Sequence, residues 1–271
     1  MEKRQIWEAY QQLQEKTKVI QCITNAVTVN DCANMLLAAG ASPTMAHHID
    51  EVEEIAAGCD GLVCNLGATD DYQAMLKACQ SAQKAGLPIV VDPVGVGASV
   101  FRRTFLEKML REITPTCIRG NYAEIEAIWK QQKIVNGIDA QEDNKTQDIA
   151  YYDNVAKMLA QKYQCYIVAS GKTDIVSDGK NVYHITNGDK NMAKITGSGC
   201  MSTCLIAAYL TLGKNITHVL CACVLMGICG ELAAKKTHLM NGGTMTFRML
   251  LIDSMSSLHE EDIEPHLCVM G

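Results

Sequence analysis

The sequence predicts a layered α/β fold: a mostly parallel central sheet flanked by helices, in one domain spanning residues 1–271. Three observations carry this expectation. Short apolar segments at 62–66, Ile89–Asp92, Cys117–Asn121 and Tyr166–Ser170 are each followed by a turn and, in most cases, by a stretch of helical periodicity. Strands that alternate with helices in this way pair in parallel, because each crossover returns the chain to the same end of the sheet. Apolar residues make up 48% of the chain, enough for a sizeable core, and neither a linker nor an internal repeat interrupts the pattern.

Taken in order, residues 2–16 place Ile6, Trp7, Tyr10 and Leu13 at helical spacing, and residues 18–23 form a short β-prone run. Residues 24–34 are dense in asparagine and lead into an apolar helix. The four apolar strands follow, with helices between them. After the last, Ser170-Gly171-Lys172-Thr173 opens onto two short runs, 174–179 and 181–185, around an Asp-Gly turn, which predicts an antiparallel hairpin. Residues 134–148 are polar and contain glycine, the composition of a surface connection. Beyond Cys200 the chain reads as helical throughout, with helices near 200–212, 216–236 and 241–258 closing one side of the sheet.

Composition excludes several classes of function. Thirteen cysteines are an odd number in a long chain whose first 18 residues are charged and polar, so reduced thiols in a cytoplasm are expected. Most read as small core residues, since Cys221-Ala222-Cys223 and Cys200/Cys204 have no second pair at zinc-site spacing. A net charge of −6 with dispersed Lys and Arg gives no footprint for nucleic acid. The longest apolar run, 219–230, is shorter than the roughly 20 residues a membrane span needs and reads as a buried helix, so no membrane partner is expected.

The chemistry centres on Ile195-Thr196-Gly197-Ser198-Gly199-Cys200, where small residues run directly into an almost wholly apolar helix. The unpaired amides and positive dipole end of such a helix favour phosphate, and Gly197 and Gly199 permit a close approach. A tight connection without a ligand is the plainer alternative. Cys200 falls in the first turn, where the helix end is expected to pull its pKa below the free value of roughly 8.5. It could then serve as base, nucleophile or filler.

In a parallel sheet, ligands gather at the carboxyl ends of the strands. By that rule Asn65-Leu66-Gly67, Asp92-Pro93-Val94-Gly95, Arg119-Gly120-Asn121 with Glu124, and Ser170-Gly171 share one rim. Asp92 precedes a proline and two glycines, so its carboxylate is expected to face a cleft, with helix capping as the alternative. Asn121 and Glu124, three residues apart, match a capping box, while a carboxylate beside phosphate also suits a magnesium ion that keeps several waters. The guanidinium of Arg119, ending an apolar strand, calls for an anion: phosphate or a structural carboxylate. The asparagines of 24–34 outnumber what turns and caps need and suit a small polar heterocycle. Met45 reads as core, or as a thioether face for a flat ring. His47 and His48, with no third ligand, read as surface or turn residues.

Over nearly its full length the chain resembles the hydroxyethylthiazole kinases, a branch of the ribokinase-like small-molecule kinases. The resemblance rests on Ile23-Thr24-Asn25, Asn30, Ala33-Asn34, Ala41-Ser42-Pro43 with Met45, Asn65-Leu66-Gly67, Asp92-Pro93-Val94-Gly95-Val96-Gly97-Ala98, Arg119-Gly120-Asn121 with Glu124, and Thr196-Gly197-Ser198-Gly199-Cys200. Most ribokinase-like enzymes carry Asp where this chain has Cys200; thiazole kinases typically carry Cys. Ser170 stands where Thr is frequent.

The resemblance implies a three-layer ribokinase-like fold. It also implies ATP-dependent phosphorylation of the hydroxyl of 4-methyl-5-(2-hydroxyethyl)thiazole, a salvage step feeding thiamine synthesis, with Mg²⁺ and ATP as co-substrate. It implies catalytic roles for Cys200, Gly197, Gly199 and Arg119, and substrate contacts at Met45, Gly197, Asn25 and Gly67. Nucleotide contacts are implied at Arg119, Ser170 and Asn121, and metal binding at Glu124 and Asp92. A cytoplasmic homotrimer with active sites between subunits is implied as well. Of the alternatives, a hydroxymethylpyrimidine-type kinase or an ADP-forming repair enzyme should have Asp at position 200. A thiol enzyme using Cys200 as nucleophile wants a base, for which His218 and His238 are the near candidates in sequence. A silent nucleotide- or thiazole-binding protein is disfavoured by the full set of Asp92, Arg119, Glu124 and the glycine turn.

Overall fold

A computed structural model describes residues 2–130 and 148–270; the polar connection read at 134–148 lies, except for Asp148, outside the described residues. The first half of the chain runs α1 (Lys3–Glu15), β1 (Val19–Ile23), α2 (Val29–Ala38), β2 (Ser42–Thr44), α3 (Val52–Gly58), β3 (Gly61–Asn65), α4 (Tyr72–Lys84) and β4 (Ile89–Asp92). It continues through α5 (Val100–Glu112), β5 (Cys117–Asn121), α6 (Tyr122–Lys130), α7 (Ile149–Tyr163) and β6 (Tyr166–Ser170). The last part comprises β7 (Asp174–Ser177), β8 (Val182–Ile185), α8 (Ser198–Leu210), α9 (Ile216–Leu239), α10 (Thr244–Ser256) and β9 (Val269–Met270).

Among the described residues the strands form one sheet in the order β2-β1-β3-β4-β5-β6-β7-β8-β9. Neighbours from β2 through β6 pair in parallel, and the three remaining pairings are antiparallel. Successive strand residues point to opposite faces, and the core divides accordingly. Val63, Val90 and Cys117 pack with α1, α2, α8, α9 and α10, whereas Leu62, Cys64, Ile89, Val91 and Ile118 pack with α3 to α7. The result is three layers, helix on sheet on helix.

The strands read from apolar runs stand where expected, β4, β5 and β6 residue for residue, and the hairpin is present as β7 and β8. Three short elements, β2, α3 and β9, are not visible as patterns. β2 contains Pro43 and sits at the sheet edge, where a missing N–H costs little. β9 corrects the expectation of an all-helical end: His184 pairs with Met270 and Ile185 with Val269. Two residues are too few to show a period.

Two helix boundaries also differ from expectation. α8 begins at Ser198 rather than Cys200, because Gly197 takes a φ of +86° and is itself the residue that starts the helix. α9 has 24 residues and is, by length and composition, long and apolar enough to cross a membrane, which the shorter run at 219–230 had concealed. Every residue from 219 to 230 is buried inside the fold. A helix apolar on all sides is the composition expected where neighbours surround it, here α1, α8 and α10.

Candidate active site

Parallel pairing sets the carboxyl ends of β3 and β4 side by side, with Asn65 beside Asp92, and those of β5 and β6 likewise, with Asn121 beside Ser170. The amino end of α8 comes down onto this rim. The Ser198, Gly199 and Cys200 amides have no hydrogen-bond partner among the described residues, and the helix ladder starts with Met201 N–H donating to Gly197 C=O at 2.8 Å. A Cβ on Gly197 would stand 2.9 Å from Thr28 Cγ2, and one on Gly199 would run into the Arg119 guanidinium. Gly197 is required by its dihedral and by its close approach to Thr28, whereas a side chain on Gly199 would have to displace the Arg119 guanidinium from the helix mouth.

The sulfur of Cys200 meets polar side chains, while the residue also packs against the apolar core on the α8 side of the sheet. Asn65 Nδ2 donates to it at 3.2 Å and Asn25 Nδ2 at 3.6 Å, and the Asp92 carboxylate is near enough for its charge to act on the thiol. Burial, then the Asp92 charge, pushes the thiol up to about 12, the reverse of the expected lowering. The helix end is outweighed because the thiol is largely removed from water and faces a carboxylate. Neither His218 nor His238 is among its partners: His218 is bonded to Gly213 C=O at 2.7 Å, so neither histidine serves the thiol as a base.

Asp92 is buried rather than presented to an open cleft as expected. It is 1% exposed, because α8 lies across the end of β4. Its Oδ2 accepts from Asn65 Nδ2 at 3.0 Å and from Thr203 Oγ1 at 2.9 Å. Burial raises its pKa, while the nearby Arg119 charge and these donors lower it.

Arg119 shares a sheet face with Cys117 and so points toward α8. Its Nη2 donates to Ser170 Oγ at 2.7 Å, and Ser170 in turn donates to Gly120 C=O at 3.3 Å. The Nε of Arg119 is buried without a partner, leaving donor capacity for an anion at the mouth of α8.

Glu124 forms the anticipated capping box: its Oε2 accepts from Asn121 N–H at 2.9 Å, and Asn121 Oδ1 accepts from Glu124 N–H at 2.9 Å. Its Oε1 accepts from Gly95 N–H at 3.0 Å. Burial and the neighbouring Asp92 push its carboxyl up to about 7. Asp174, at the start of β7, is likewise pushed up, to about 6, by burial. Arg119 thus stands among three carboxyls, and its charge lowers all three pKa values.

Among the described residues no group of three or more His, Cys, Asp or Glu is placed to hold a metal. Asp92 and Glu124 nevertheless fit a magnesium ion that keeps most of its waters and is bound chiefly through phosphates. The fit rests on repulsion: the Asp92 charge helps raise the Glu124 carboxyl, and a divalent cation near both would relieve it.

Of the residues singled out in the sequence, Cys200, Gly197, Gly199, Arg119, Ser170, Asn25, Asp92, Glu124 and Asn121 converge here. Gly67 lies against Asn25, with its N–H donating to Asn65 Oδ1 at 2.8 Å. Met45 follows the edge strand β2 and is half-buried against the core, on the rim but outside the hydrogen-bonded cluster. His47 pairs with Asp71 at 3.1 Å on the surface.

Sequence reasoning placed Asn65 on the rim without giving it a role, and missed Thr203. Asn65 had the signal that marked Asp92, a polar residue ending an apolar strand; Thr203 had none, lying in a helix that reads as core. Asp31, 2% exposed, is a further surprise, paired through Oδ1 with Arg248 while its Oδ2, near Gly197, has no partner. A separate cavity of about 820 Å³, lined by residues such as Leu87, Thr116, Tyr166 and Lys214, opens at the amino ends of β4 to β6, the wrong pole for strand-end chemistry.

A model of the hydroxyethylthiazole kinase family matches residues 10–261. A protein of Clostridium acetobutylicum named hydroxyethylthiazole kinase is 42% identical over 253 residues, covering 91% of this chain and 92% of that one. The solved structure of a hydroxyethylthiazole kinase from Pyrococcus horikoshii superposes with a TM-score of 0.86 at 29% identity, covering 98% of both chains. A ribokinase-like superfamily protein of Enterococcus faecalis superposes with a TM-score of 0.63 at 15% identity, covering 96% of both, a likeness of fold alone.

Proposed function

The chain belongs to the hydroxyethylthiazole kinase family, and from that premise we propose that the rim around α8 transfers the γ-phosphoryl group of ATP to the hydroxyl of 4-methyl-5-(2-hydroxyethyl)thiazole. The reaction is that of a phosphotransferase acting on an alcohol, a step that salvages thiazole for thiamine. The observation that carries the site assignment is the convergence of three free amides at the start of α8, the unpartnered Nε of Arg119 and the Cys200 sulfur. We read residues 1–271 as one catalytic domain.

Phosphoryl transfer passes through a loose transition state in which placement and charge neutralisation dominate. The amides of Ser198, Gly199 and Cys200, with Arg119, are aimed at the charge on the transferring group. Ser170 holds Arg119 in that direction, and Asn121 lies beside it for the nucleotide. Asn25, Gly67, Gly197 and Met45 line the acceptor side and would receive the thiazole. A thiol held up at about 12 keeps its proton near neutrality, so Cys200 orients the acceptor hydroxyl rather than taking its proton. When bound, Mg²⁺ would neutralise charge on the phosphates, with Glu124 and Asp92 holding its water shell.

Glu124→Gln tests the metal reading. The folded carboxyl sits near 7 against an ordinary 4.5, so between those values the folded protein holds more protons than the unfolded chain. Stability from this group therefore falls as pH rises through that window. The variant should flatten that fall in thermal unfolding and raise the Mg²⁺ concentration for half-maximal rate about 10-fold, the usual scale for a lost supporting ligand. An unaltered Mg²⁺ titration would leave Glu124 as a capping residue only.

The trimer reading draws support from apolar side chains left in solvent: Val27 ahead of α2, Met240 after α9, and Met245 and Met249 one turn apart on α10. α10 packs on both α2 and α9, so these side chains belong to adjoining elements. The unbonded thiols, including Cys64 and Cys79 with sulfurs 3.4 Å apart, suit a reducing cytoplasm. The deciding experiment is ADP release by the purified chain with Mg²⁺ and ATP, with and without the thiazole alcohol, on a sample whose mass is read by light scattering. Release that depends on the alcohol is expected, from a species of three chains. Release indifferent to it would sink the acceptor assignment, and a mass of one chain the trimer.

A further inference from the structure

We propose that Asn65 is a positioning residue for the phosphotransfer, its side-chain amide fixing where the Cys200 sulfur meets the acceptor hydroxyl. The inference rests on the kinase reading and goes beyond it to a residue that the resemblance left without a role.

Every hydrogen-bonding position of the Asn65 amide is taken, and this makes its orientation unambiguous. Oδ1 accepts from Gly67 N–H at 2.8 Å and from Asn25 Nδ2 at 3.3 Å. A backbone N–H cannot turn into an acceptor, so the oxygen is locked toward Gly67 and the NH₂ group must face the other way. Its two hydrogens then go to Asp92 Oδ2 at 3.0 Å and to Cys200 Sγ at 3.2 Å. The side chain is 1% exposed at the end of β3, paired in register with Asp92, and has no rotamer freedom left.

The sulfur is correspondingly constrained. Asn65 and Asn25 approach it as donors, at 3.2 and 3.6 Å, and the Asp92 carboxylate is near enough for its charge to raise the thiol. Cys200 belongs to the first turn of α8, beside the free amides of Ser198 and Gly199, so a hydroxyl attacking a phosphoryl group held by those amides would meet the sulfur there. A misplacement on the order of 1 Å at such a point costs about 10²-fold in rate, because alignment of the attacking oxygen supplies much of the acceleration. Thr203 supports the arrangement from below, donating to the same Asp92 oxygen.

If Asn65 acts through Cys200, its effect should vanish when the sulfur is gone. The test is a double-mutant cycle on the full chain: Asn65→Ala and Asn65→Ser, each in the parent and in a Cys200→Ala background. In the parent background, Asn65→Ala is expected to lower kcat about 10- to 100-fold, leaving the KM for ATP within about 2-fold. In the Cys200→Ala background the same change should cost less than about 3-fold. Asn65→Ser keeps one donor, should fold even if Asn65→Ala does not, and should show the same dependence on the sulfur with a smaller loss.

An equal loss in both backgrounds, or a lowered melting temperature with kcat intact, overturns the positioning role and leaves the kinase reading standing. Absence of ADP release from the parent with the thiazole alcohol removes the kinase reading and this inference with it.

Discussion

Arg119→Ala is expected to lower kcat and raise the KM for ATP, with a combined loss in kcat/KM of about 10² to 10³, the range seen when a preorganised donor to developing charge is removed. Arg119 brings its positive charge to the start of α8 and keeps a buried Nε without a protein partner. Its loss also withdraws the charge that opposes the upward pressure on Asp92, Glu124 and Asp174, so those carboxyls should take up protons more readily. Arg119→Lys restores the charge without the planar fork and should recover only part of the rate. Steady-state kinetics with ATP varied at saturating thiazole alcohol make the check. If both constants stay at parental values, Arg119 is a counter-ion for the three carboxyls and nothing more.

Gly197→Ala should be the other severe change, and it should act on stability and rate together. At φ +86° an L-residue is strained by about 1–2 kcal/mol, and the new methyl would stand 2.9 Å from Thr28 Cγ2. Thr28 is held in place: its N–H and its Oγ1 both donate to Asn25 Oδ1, at 3.1 and 3.2 Å. Relief must therefore come from the turn, which would swing the first amides of α8 away from the phosphate. A destabilisation of about 1–3 kcal/mol and a fall in kcat of about 10²-fold are expected. Thermal unfolding and turnover of the same preparation report the two effects. A variant that melts and turns over like the parent would show that the loop tolerates another path into the helix.

The strands that bear the site are legible because each is an apolar run stopped by a polar residue, and the same rule marks Asp92, Arg119 and Ser170. The glycine turn is legible because small residues run directly into an apolar helix, although by itself the same pattern also serves as a tight connection without a ligand. The direction in which Asp92 faces is not, since its burial comes from α8, more than a hundred residues later in the chain. For the same reason the thiol shift has the opposite sign to the local expectation: a helix end is a local feature, whereas desolvation and an adjacent carboxylate are tertiary ones. Asn65 belongs to this second kind. Its identity is plain in the sequence, but its contact with both Asp92 and Cys200 exists only once β3 and β4 pair and α8 docks above them. β2 and β9 escape notice because runs of two or three residues carry no period.

One consequence of α9 concerns how the chain reaches its native state. A 24-residue rod whose stretch 219–230 is buried on every side has to be wrapped by α8 just before it, by α10 just after it, and by α1 from the opposite end of the polypeptide. During synthesis this greasy segment emerges while its last cover is still being made, so nascent chains halted before α10 should be sticky and dependent on chaperones. The same geometry joins the first helix to the last ones, which makes correct closure a long-range event and sets an upper limit on how fast the enzyme can be refolded.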